Sequence, residues 1–367
     1  MTADTLGGVW TYALELCHGL AAHDIEVVLA TMGAPARADQ RREAAALGNV
    51  LLCESAFALE WMDAPWDDVR AAGDWLLDLE QRFAPDVIHL NGYAHGALPW
   101  TAPVLAVGHS CVLSWWRAVK GSDAPAAWRT YADTVRNGLQ AVQQVVAPTR
   151  WMADALSDHY GPLPPVRVIP NARTPAPFPP PREKEPFVLG VGRLWDEAKN
   201  THVLARLAPG LPWPVRLIGE TCRPGGAERP PGGLELLGYL PARDVACQCH
   251  RAALYVAPAR YEPFGLSILE AATAGCALVL GDIPSLRESW DGAAVFVPPD
   301  DATGLRASLS DLIAAPSLRE RLGACARERA QRFTVKRMTR GYLETYEELR
   351  GREFARSNPA LAAARSA

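Results

Sequence analysis

Arg260-Tyr-Glu262-Pro-Phe-Gly265-Leu-Ser-Ile-Leu-Glu270-Ala-Ala-Thr-Ala-Gly275 follows the apolar run Leu254–Ala257. The run is short, continuous and bounded by Pro258, the form of a strand buried on both faces. Pro263 and Gly265 then shape a turn, and Leu266 to Ala274 reads as a helix whose first N–H groups face that turn without intrahelical partners. Strand, turn and helix in that order form a unit of a parallel α/β sheet, which places ligands at the carboxyl ends of its strands. Glu262 precedes the helix and Glu270 lies more than a turn inside it, so the two carboxylates reach different parts of one extended ligand. Glycoside hydrolysis needs two carboxyls facing one bond across a single gap, which this spacing does not suggest.

The alternation of short apolar runs with helix-period segments extends along the chain and makes it α/β. Strand candidates before the middle are residues 26–30, 50–53, 87–90, 104–108, 145–147 and 166–169; after it they are 187–191, 215–219, 234–238, 254–257, 277–280 and 294–297. Between the two sets, Thr174 to Pro186 holds six prolines in 13 residues, too many for a helix or central strand, and reads as a stiff linker. The expected organisation is a Rossmann-like domain over residues 1–173, the linker 174–186, a second Rossmann-like domain over 187–335, a helix over 336–356, and a flexible tail over 357–367. Each half is expected to form one parallel sheet. Two doubly wound domains facing each other would place the chemistry in the cleft where the carboxyl ends of both sheets meet.

Composition narrows the function. Among 367 residues, 37 Lys and Arg against 41 Asp and Glu give a net charge of −4 with no polybasic block, which argues against a nucleic-acid partner. The eight cysteines lack the spacing of a secreted framework and point to a reduced, cytoplasmic protein. No apolar run is long enough to span a membrane, no export signal is legible, and nothing in the sequence supports peripheral membrane contact. Cys247-Gln-Cys249-His250 invites a metal reading, but on a helix the two cysteines sit about 200° apart, so no metal site is expected.

Two further stretches carry chemistry. Gly7-Gly8 stands at the start of a helix with apolar residues at Val9, Ala13, Leu16 and Leu20, where the backbone can approach a phosphate; the plain alternative is a tight turn. Phe187-Val-Leu-Gly-Val-Gly-Arg193 runs from a buried strand into a turn holding Arg193 and Lys199, cations suited to a diphosphate. The bland reading is a surface pair bridged by Asp196 and Glu197. Neither a full dinucleotide glycine fingerprint nor a Walker loop is present.

These three stretches in this order, with Val145-Val-Ala-Pro-Thr-Arg-Trp-Met152, Val166-Arg-Val-Ile-Pro-Asn171 and Gly281-Asp-Ile-Pro-Ser-Leu-Arg-Glu288, resemble the retaining glycosyltransferases of the group 1 family, family four, with the GT-B fold. Glu262 and Glu270 fit its Glu, seven residues, Glu pattern. The resemblance implies transfer of a hexose from a nucleotide-diphosphate sugar to a saccharide, lipid or small-molecule acceptor, with retention and without a cofactor or metal. It implies that Gly7 and Gly8 meet the donor phosphate, Arg193 and Lys199 hold the diphosphate, Glu270 accepts from the ribose, and Glu262 binds sugar hydroxyls. His109, in Val107-Gly-His-Ser110, matches a histidine beside the reacting sugar, and Phe264, Gly265 and Leu266 would offer backbone N–H groups. The terminal helix would cross back onto the first domain. Trp115 and Trp116 fit an acceptor platform or ordinary core packing equally well.

One departure from the family concerns the start. Met1 is two residues before Ala3, so the first domain is expected to lack its opening strand, either because the true start lies further upstream, the preferred reading, or because the sheet is truncated. The competing functions are a nucleotide-sugar epimerase on the same fold and a non-catalytic nucleotide-sugar binding module. Donor sugar, base and acceptor are read by variable loops and stay unnamed.

Overall fold

The computed structural model describes residues 1–176, 183–222 and 232–357. The middle of the expected linker, residues 177–182, and the expected tail after Ser357 lie outside the described residues. Contacts divide the chain into two compact units: one comprises residues 1–114, 123–170 and the chain from Val335, the other residues 115–122 and 171–334.

In the first unit β1 (Thr2–Asp4), β2 (Val27–Met32) and β3 (Val50–Glu54) form one parallel sheet in that order. A second parallel sheet contains β4 (Ile88–Leu90), β5 (Val104–Val107), β6 (Gln144–Ala147) and β7 (Val166–Val168), again in that order. An opening strand is therefore present, and the expectation that it is lacking is corrected. Thr2 to Asp4 pairs with Ala30 to Met32, but three residues are too few to display a period of two, so the segment read as the approach to Gly7.

The expected single sheet of this half is also corrected, since its strands form two hydrogen-bonded sheets. The physical reason is Asn91, just past β4. Its backbone N–H donates to Thr2 Oγ1 at 2.8 Å and its Nδ2 donates to the Thr2 carbonyl at 2.6 Å, so side-chain bonds bridge β1 and β4 where a ladder would run. Across that seam the strands follow the doubly wound sequence β3, β2, β1, β4, β5, β6, β7.

The helix Gly8–Ala21 buries Tyr12, Leu16 and Leu20 on one face. The terminal helix Val335–Ser357 belongs to this unit and packs against it, with the Tyr12 and Tyr342 rings 6.0 Å apart. Arg167 of β7 donates to Thr345 Oγ1 at 2.9 Å on the same terminal helix.

The second unit has one parallel sheet, in the order β10 (Glu235–Leu236), β9 (Val215–Ile218), β8 (Glu185–Val191), β11 (Ala252–Ala257), β12 (Ala277–Gly281), β13 (Val295–Val297). Its strands are buried on both faces: Phe187, Leu189 and Tyr255 join one core, Val188, Leu254 and Val256 the other. That double burial is why they read as unbroken apolar runs. The order reverses between β8 and β11, and the loops after these two strands are Gly192–Lys199 and Pro258–Gly265. Such a switch point is where an open α/β sheet holds its ligand.

Candidate functional site

Asp196 organises the loop after β8. Its side chain accepts from Ala198 N at 3.0 Å, from Trp115 Nε1 at 3.0 Å and from Arg193 at 3.1 Å. Asn200 follows in the left-handed region, φ 56°, which asparagine adopts more readily than most residues. Fully buried, it donates through Nδ2 to Pro258 O at 2.9 Å and Pro299 O at 2.8 Å, and Arg260 N donates to Ala198 O at 2.8 Å. These bonds suture the loops after β8 and β11 and carry Lys199 to Glu262.

Lys199 Nζ lies 2.5 Å from Glu262 Oε2, with the two side chains 22% and 16% exposed. The lysine stem lies over Gly192, where an added Cβ would stand 3.5 Å from Cε. The Glu262 carbonyl accepts from the buried Ser285 hydroxyl at 2.7 Å, which fixes the backbone behind the carboxylate. Gly265 caps the helix Leu266–Thr273 at φ +85°, and the first intrahelical bond runs from Leu269 N to Gly265 O. The amides of Leu266, Ser267 and Ile268 are thus outside the helix ladder and supply the positive end of its dipole. A Cβ on Gly265 would lie 3.4 Å from Glu262 Cγ, so this helix start adjoins the Lys199–Glu262 pair.

The Phe264 side chain is buried against Phe333, ring centroids 5.4 Å apart, and half-buried Leu266 packs on the same core, leaving only backbone for a ligand. Arg193 lies over the Trp195 ring as well as pairing with Asp196. The bland reading of a pair bridged by Asp196 and Glu197 holds only for Arg193 and Asp196, because Glu197 pairs with Lys120 at 2.6 Å. Glu270 accepts from Arg173 Nε at 2.6 Å, the side chains 18% and 13% exposed for Arg173 and Glu270. Trp115 and Trp116 are half-buried, their rings 5.8 Å apart with Lys120 near both.

In the first unit His109 follows β5 and its Nε2 lies 2.8 Å from Asn91 Oδ1. The Tyr12 ring meets it edge-on at 4.5 Å, and burial pushes its pKa down to about 3, so the ring is neutral at ordinary pH. His89 on β4 lies between Tyr12 OH at 3.2 Å and Tyr346 OH at 2.7 Å, and burial holds it well below the usual histidine range. Gly7 and Gly8 are exposed at the start of the helix Gly8–Ala21. Gly7 has extended backbone at φ 172° and no atom of the described residues within 4 Å of an added Cβ, so no contact among them requires a glycine there.

Glu60 also touches this region. It accepts from Ala94 N at 2.6 Å and from Tyr93 N at 3.1 Å, holding the turn that follows Asn91. Burial outweighs those bonds and raises its pKa from 4.5 to about 7. The folded state then binds more protons than the unfolded chain between those values, so this group makes stability fall as pH rises through that window. Denaturant titrations at several pH values should show that slope in the wild type and its loss in Glu60→Gln; an identical slope in both would contradict the assignment.

Sequence reasoning missed Asn91, Glu60, Arg173 and Asn200. Asn200 had a signal, an asparagine closing a turn directly before a helix. The other three depend on partners 18 to 97 residues away in sequence, which no local pattern shows.

The chain matches Glycosyltransferase Family 4 over residues 6–175 and Glycosyl transferases group 1 over residues 176–329. It is 28% identical over 282 residues to a glycogen synthase of Mycobacterium tuberculosis, covering 69% of this chain and 66% of that protein, just under two thirds of its length. Over 123 residues it is 33% identical to the phosphatidyl-myo-inositol mannosyltransferase of Mycolicibacterium smegmatis, 33% of this chain and 32% of the other. The solved sucrose-phosphate synthase of Thermosynechococcus elongatus superposes with a TM-score of 0.76 at 18% identity, covering 95% of this chain and 98% of that one. Anabaena HepE, solved with UDP-glucose, gives 0.71 at 15% identity, covering 95% and 99%. At those identities the two structures speak for the fold, while the family matches take in both halves of the sequence. The chain belongs to the group 1 glycosyltransferases, family four, and has their GT-B fold of two Rossmann-like domains.

Proposed function

We propose that this glycosyltransferase moves a hexosyl group from a nucleotide-diphosphate sugar to a saccharide, lipid or small-molecule acceptor, with retention of anomeric configuration. The observation that carries the reading is the convergence of Lys199 and the helix start at Gly265 on Glu262, at the switch point of the second sheet. Breaking a sugar–diphosphate bond leaves negative charge on the departing phosphate and an oxocarbenium-like sugar. Lys199, Arg193 and the amides after Gly265 meet the first charge. Glu262 binds hydroxyls of the transferred sugar and Glu270 those of the ribose, steadied by Arg173.

From the first unit, Gly7 and Gly8 give a phosphate access to backbone, and neutral His109 accepts from a sugar hydroxyl. In a front-face reaction the leaving phosphate takes the acceptor's proton, so no protein nucleophile is assigned and no cofactor is invoked. Among the described residues no helix is long and apolar enough to cross a membrane, and the free cysteines support the cytoplasm as the compartment.

The test is a thermal-shift screen against UDP-, GDP- and ADP-sugars, followed by transfer assays with the stabilising donor. A true donor at about 100 times its Kd should stabilise by about 2.7 kcal/mol, and an α-linked donor should give an α-linked product by NMR. A β-linked product would overturn retention. Isomerisation of the donor without acceptor would replace transfer with epimerisation.

A further inference from the structure

Asn91 stands at the seam between the two sheets of the first unit, and its carboxamide has one possible orientation. Nδ2 donates to the Thr2 carbonyl at 2.6 Å, and a carbonyl accepts only, so the amide cannot be turned over without losing that bond. The backbone N–H of Asn91 is held separately by Thr2 Oγ1 at 2.8 Å. Oδ1 therefore faces His109 Nε2 at 2.8 Å as a fixed acceptor. An acceptor there requires the proton on Nε2, and Nδ1 of a neutral ring is then a lone pair. We propose that Asn91 is a positioning residue, whose anchored carboxamide sets His109 as the Nε2-protonated tautomer and makes Nδ1 the atom that accepts from a hydroxyl of the transferred sugar.

The assignment rests on the reading of His109 as a sugar-binding group, but the tautomer is fixed by the chain alone. The groups facing the ring are Asn91 from the loop after β4, Tyr12 from the helix Gly8–Ala21 and His89 on β4. His89 is itself uncharged through burial, and Tyr12 is held far above the usual tyrosine range by burial. Neither supplies a charge that would favour an imidazolium. An asparagine suits this position because it orients a neutral ring; a carboxylate would stabilise the charged one.

The test uses the full chain labelled with 15N at histidine, with His109 assigned by the signals lost in His109→Gln. Between about pH 5 and 8, the range in which a free histidine titrates, His109 should show a neutral ring protonated on Nε2. A ring protonated on Nδ1, or an imidazolium at neutral pH, overturns the proposal without any mutant. Asn91→Asp should raise the ring's pKa and give the transfer rate a new pH-dependent limb. Asn91→Leu should yield both tautomers and lower kcat about tenfold, the effect of one misplaced hydrogen bond. If Asn91→Leu folds and keeps both the wild-type spectrum and rate, the positioning role is refuted. If transfer itself is never found, the spectrum still decides the tautomer, so the two failures are distinguishable.

Discussion

Lys199→Ala should reduce sugar transfer by about 10²–10³-fold, the loss expected when one preorganised donor to a departing anion is removed. The same change leaves Glu262, 16% exposed, without the cation 2.5 Å away. An unpaired carboxylate at that depth costs about 1–3 kcal/mol, so the variant should also unfold earlier in denaturant. The two effects can be separated. In the double variant Lys199→Ala with Glu262→Gln, the stability loss should shrink because no charge is stranded, while transfer stays low. Recovery of transfer in the double variant would mean that Lys199 serves only to neutralise Glu262. Wild-type turnover in Lys199→Ala would remove the lysine from the reaction altogether.

Gly265→Val should be costly for a different reason. At φ +85° a β-branched residue is strained, and its Cβ would stand 2.6 Å from Ile268 Cδ1 and 3.1 Å from Cγ1. Strain of this kind costs about 1–3 kcal/mol, and with the overlap the upper part of that range is expected. Relief requires the turn to shift, which moves both Glu262 and the amides after Gly265, and a displacement of about 1 Å at reacting groups costs about 100-fold in rate. Gly265→Ala should fall between this variant and the wild type in both stability and turnover. Equal stability of the valine variant and the wild type would show that the left-handed cap is dispensable.

The second unit was legible because its strands are buried on both faces. Runs such as Phe187–Val191 and Leu254–Ala257 cannot be mistaken for amphipathic surface, and Pro263 with Gly265 marks the turn by backbone chemistry alone. β1 was not legible, since three residues carry no period and its pairing partner lies 28 residues on. The seam between β1 and β4 was hidden for the same reason: it depends on the Asn91 side chain reaching Thr2, 89 residues away.

Within the site, Lys199, Glu262 and Gly265 were found by local pattern and brought together by contacts the pattern does not contain, above all the buried Asn200 amide. Arg173 gave no signal, because an arginine shortly after a strand is ordinary and only its 2.6 Å contact with Glu270 distinguishes it. His109 could be placed after a strand, but its protonation could not be read: its neutral state is set by burial, which is a property of the folded chain.

Titration calorimetry of a nucleoside diphosphate, and of the nucleoside alone, against the wild type and the double variant Arg193→Ala with Lys199→Ala bears most directly on the central claim. If these two cations hold the diphosphate, the double variant should bind the nucleoside diphosphate about 100-fold or more weakly, as loss of two charge-assisted contacts implies, and bind the nucleoside as the wild type does. Equal affinity of both proteins for the nucleoside diphosphate would contradict the claim that Arg193 and Lys199 hold the leaving group.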